Sequence, residues 1–82
     1  MAAIYLLNVP EFWPIADAAR AQGLSVKLVQ GEDYLYVSGP GAIEIRRKGS
    51  GVKLPVWFGA PTGGLEGRIE QFDREILRVI DL

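Results

Sequence analysis

Eighty-two residues with 49% hydrophobic content make one ordered domain, residues 1–82, with no room for a second core. Histidine and cysteine are both absent, which removes the imidazole base, the thiolate nucleophile, disulfides and the ordinary zinc site together. A net charge of −1 argues against a general binder of nucleic acid or of anionic membranes.

The ten acidic residues do not gather into a ligand loop, so neither a metal nor a cofactor is expected. No uncharged run approaches the roughly 18 residues a membrane span needs. The first residues lack the basic and small-residue pattern of a signal peptide, and a cytoplasmic location is the default expectation. A chain this small buries only roughly 60–65% of its unfolded surface, so its stability is modest unless subunits associate.

In chain order, Ala3 to Val9 is a short apolar run stopped by Pro10, which suits a buried strand. Glu11 to Gln22 follows as a helix. Pro14 fixes its first turn, Phe12, Ile15, Ala16 and Ala19 form its apolar stripe, and Gly23 ends it. Trp13 lies off the stripe and reads as a flap over the helix start. Leu24 to Gln30, Tyr34 to Ser38, Ala42 to Lys48 and Val52 to Phe58 then alternate between apolar and polar positions. Gly-rich or Pro-rich turns separate them, which is the pattern of an antiparallel meander. Pro55 cannot donate to a ladder, so the last of these strands is expected at an edge or at a bulge.

Leu54 to Leu65 is uncharged and rich in aromatic, proline and glycine residues. After it, Leu65, Ile69, Phe72, Ile76, Val79 and Ile80 fall on one helical stripe, so a second helix is expected over residues 65–82. Gly67 is the weak point of that helix, at a cost of about 1 kcal/mol relative to alanine. The order β-α-β-β-β-β-α implies an α+β fold: a two-layer sandwich with a mixed, mainly antiparallel sheet and both helices on one face. The helix between the first two strands suits a right-handed parallel crossover.

If both helices cover one face, strand parity leaves Lys27, Tyr34, Tyr36, Glu44, Arg46, Lys53 and Trp57 on the other. Aromatic residues framed by charge are typical of interface cores. The leading expectation is therefore a small non-catalytic binding or assembly protein, a homo-oligomer and first of all a dimer, with Tyr34, Tyr36, Arg46 and Trp57 at the contact. Two alternatives stand beside it. The N–H groups of Thr62, Gly63 and Gly64 at a helix start, walled by Trp57 and Phe58, suit a small aromatic or acyl carboxylate. The spacing of Gly59 and Gly64 matches a phosphate loop, but Leu65 and Glu66 replace its Lys and Ser/Thr, which rejects nucleotide hydrolysis.

The other alternative is single-stranded nucleic acid on the aromatic face, with Arg46, Arg47, Lys48 and Lys53 around the Gly49–Gly51 turn as its cations. The acidic balance of the chain disfavours it. No catalytic constellation is recognisable in Tyr34, Tyr36, Glu44 and Arg46.

Overall fold

The computed structural model describes residues 2–81. Met1 and Leu82, the last residue of the expected C-terminal helix, lie outside them. Ten elements follow one another: β1 (Ala2–Leu7), α1 (Trp13–Ala21), β2 (Ser25–Val29), β3 (Tyr34–Gly39), β4 (Ile43–Arg46), α2 (Leu54–Gly59), a 3₁₀ helix (Ala60–Gly63), β5 (Leu65–Glu66), β6 (Arg68–Phe72) and β7 (Ile76–Ile80). The class is α+β, built from two helices and two antiparallel sheets.

The first sheet has the order β2-β3-β1-β5, and the second has the order β4-β7-β6. Strands β1 and β2 both flank β3 and run antiparallel to it. They therefore run parallel to each other, and the segment through α1 is the parallel crossover that the strand–helix–strand order suggests, with β3 inserted between its two strands. Helix α1 begins with proline in its first turn and ends in a Schellman motif. There the N–H groups of Gly23 and Leu24 donate to the carbonyls of Arg20 and Ala19, with Gly23 at a φ of +86° that glycine adopts freely.

Two stretches differ from the sequence expectation. Residues 52–58 are not a strand: Leu54–Gly59 is a short helix with Pro55 in its first turn, where the missing N–H costs nothing. Residues 65–80 are not a helix but β5, β6 and β7. Gly67 separates β5 from β6 with φ +107°, and a Cβ there would collide with the Ile80 carbonyl. Asp73 then makes the turn. Its carboxylate accepts the N–H groups of Glu75 and Ile76, both at 2.9 Å, which holds the carboxyl below the ordinary value near 3.8, with the Gln71 amide as the largest cause.

One core joins both sheets to α1. Ile4, Leu6, Leu35 and Val37 of the first sheet meet Ile43, Ile45, Leu77 and Val79 of the second, together with Ile15, Ala16 and Ala19. Trp57 completes it from α2 and is fully buried. Its indole N–H donates to the Asp73 carbonyl at 2.6 Å, and its ring packs on Phe72 with centroids 6.0 Å apart. Neither helix is long and apolar enough to cross a membrane.

Candidate functional sites

The alternation of β1 and β3 sends Ile4, Leu6, Leu35 and Val37 toward α1 and leaves Tyr5, Tyr34 and Tyr36 on the other face. Tyr5 stands directly across from Tyr36, and Lys27 of β2 is on the far side of Tyr36. The three rings touch: Tyr5 and Tyr36 lie 5.0 Å apart, and Tyr34 meets Tyr5 edge-on at 6.5 Å. Glu66 on β5 fastens the group. Its carboxylate accepts the Tyr5 hydroxyl at 3.0 Å and the Tyr36 hydroxyl at 2.8 Å. That bond pushes the Tyr36 phenol up to about 12 and raises Tyr5 as well. Ala3 and Ser38, toward one end of this face, are buried. Tyr5, Leu7, Lys27, Val29, Tyr34 and Tyr36 remain accessible to different degrees.

A second feature is a cleft of about 770 Å³ where the β4–α2 loop meets the β6–β7 turn. Arg46, Arg47, Lys48, Lys53 and Arg74 line it, with Glu75 the one acidic residue in its wall. Arg47 organises both sides. Its backbone N–H donates to the Glu75 carbonyl at 2.9 Å, and its guanidinium donates to the carbonyls of Arg74 at 2.6 Å and Val52 at 3.0 Å. Ser50 shapes the loop by donating its hydroxyl to the Arg47 carbonyl. Gly49 and Gly51 turn it at φ +84° and +77°.

The residues that sequence reasoning grouped together are only partly together. Tyr34 and Tyr36 share a face, but Arg46 lies on the second sheet, paired to Glu44 at 3.2 Å. Trp57 is in the core, so it neither joins an open sheet face nor walls a pocket. Phe58 is half exposed against Phe72. Thr62, Gly63 and Gly64 close a 3₁₀ helix rather than open an α-helix, so the expected ring of free N–H groups is not formed. The Thr62 hydroxyl donates to the Gly59 carbonyl, and Gly63 is packed so tightly on the Tyr5 carbonyl that no side chain fits. This overturns the geometry of the carboxylate site. The nucleic-acid arrangement also loses its basis, because the tyrosines are on the first sheet and the basic cleft is on the second.

Tyr5, Glu66 and Arg74 are the contributors that sequence reasoning missed. Tyr5 breaks the apolar run at a period-two position, which was the available signal. Glu66 and Arg74 were hidden by the helical reading of their segment. No family model matches this chain, and no match is found among curated proteins or solved structures.

Proposed function

We propose that the protein is a small, non-catalytic assembly module that pairs with a second copy of itself through the tyrosine face of the first sheet. The observation that carries this reading is the Tyr5–Tyr36–Glu66 cluster. Interfaces lose affinity when side chains must be ordered on binding, and these rings are already held. Tyrosine also offers a large contact area with few rotatable bonds.

Charge supports a two-fold arrangement. Across the strand order β2-β3-β1-β5, Lys27 marks one margin of the tyrosines and Glu66 the other. A two-fold axis parallel to the strands sets each Lys27 against the Glu66 of the second copy, which is the self-complementarity an isologous contact requires. Catalysis finds less support. A phenol pushed up to about 12 stays protonated at neutral pH and serves as a donor to Glu66 rather than as a base.

The size of the face sets the strength. Three strand spacings by about four residues is roughly 14 Å by 14 Å, or about 200 Å² per partner, well below the roughly 800 Å² per partner of a standard specific interface. The expected dimer is weak and depends on concentration, and sedimentation equilibrium from about 10 µM to about 1 mM spans its range. Lys27→Glu, which leaves the ring cluster intact, is expected to weaken association at least about tenfold, because like charges then oppose across the axis. A chain that stays monomeric throughout, or a dimer indifferent to Lys27→Glu, contradicts the assignment.

A further inference from the structure

We propose that the basic cleft between the β4–α2 loop and the β6–β7 turn binds a chain of phosphates and recognises it by charge alone. The first argument is segregation. Five of the nine basic residues of the chain line this cleft with a single acid, leaving four basic and nine acidic residues everywhere else. A protein of net charge −1 thus keeps a strongly positive concavity, where field lines concentrate and attract anions.

The second argument is that three of these five charges form no ion pair among the described residues, whereas Arg46 is paired to Glu44. No carboxylate among the described residues lies within ion-pair distance of Lys48, Lys53 or Arg74. Cations gathered around one cleft repel each other, and a polyanion relieves that repulsion. Arg47 supplies a rigid element. Two of its nitrogens are anchored on backbone carbonyls of the two walls, which holds its permanent positive charge in place at the cleft.

The lining then selects the ligand class. A cleft of about 770 Å³ is in the size range of small-molecule sites. Its wall contains Val52, Ile76 and glycines but no aromatic ring, so nothing can stack on a base as single-strand binders require. Several cations around a small volume match a compact run of phosphates better than one isolated phosphate. Inorganic polyphosphate and the phosphate tail of a nucleotide share that chemistry.

Titration calorimetry at low salt with inorganic phosphate, tripolyphosphate, ATP and a short oligothymidylate separates the outcomes. Tripolyphosphate is expected to bind at least about tenfold more tightly than phosphate, and to weaken steeply as salt is raised. ATP should match tripolyphosphate. Lys48→Gln, Lys53→Gln and Arg74→Gln remove charge without touching the Arg47 anchors, and each should weaken binding about three- to tenfold. A silent titration with tripolyphosphate overturns the proposal, as does binding that survives the triple variant. ATP or oligothymidylate binding clearly tighter than tripolyphosphate overturns the charge-only recognition and assigns the base a role.

Discussion

Glu66 illustrates how one exposed carboxylate governs two phenols 31 residues apart in the chain, Tyr5 and Tyr36. Its bonds favour the protonated phenol, so the sign of the pH effect is fixed. Tyr36 has an ordinary value of 10.0 when unfolded and about 12 when folded. The stability this bond contributes is complete below pH 10 and is lost as pH rises through 12. In an absorbance titration of phenolate, Glu66→Gln is expected to move one late-ionising tyrosine back toward 10. An unchanged titration curve would show that the carboxylate does not hold the hydroxyl in solution.

At the scale of elements, the C-terminal segment shows what periodicity can and cannot decide. Ile69 and Leu77 rank oppositely under the two readings of residues 65–80. A helical stripe buries Ile69 and leaves Leu77 outside it. The strands instead leave Ile69 40% exposed and bury Leu77 completely. Leu77→Ala should therefore cost about 2–5 kcal/mol, and Ile69→Ala clearly less, measured by urea unfolding. The reverse order would restore the helix.

The α+β class, β1, α1 and the strands β2, β3 and β4 were legible because short alternating stretches ended at strong turn residues, but the meander was not formed, since β4 leaves β3 to pair with β7 in the second sheet. The C-terminal strands were not legible. Three short β-strands place Leu65, Ile69, Phe72, Ile76, Val79 and Ile80 at spacings that a helix also satisfies. Only Gly67, the Asp73 turn and the branched run Ile76–Ile80 argued otherwise. Pro55 was equally two-sided, since a proline that demotes a strand also starts a helix. The tyrosine face was half visible through Tyr34 and Tyr36. Its fastening residue, Glu66, lies in the segment whose periodicity points to a helix, and strand parity turns Trp57 outward only if residues 52–58 are extended. The basic loop at Arg46–Lys53 was readable, but its opposite wall at Arg74 and Glu75 was not.

For the molecule as a whole, the two proposed surfaces are on different sheets, the tyrosines on β1 and β3 and the cations around β4 and the β6–β7 turn. Self-pairing thus leaves the cleft free, and Lys27→Glu is expected to bind tripolyphosphate as the parent chain does, which keeps the tests of the two readings independent. The strand order β2-β3-β1-β5 has a further consequence, in time rather than in space. The first strand made is an inner strand of its sheet, and one of its neighbours arrives last: Tyr5 and Glu66 are 61 positions apart. Until Leu65 and Glu66 emerge, Ala3 and Ile4 present a bare apolar edge to any other nascent chain. Such distant closure slows folding toward the millisecond-to-second range of sheet proteins and makes the interval before it the period when this chain is most prone to aggregate.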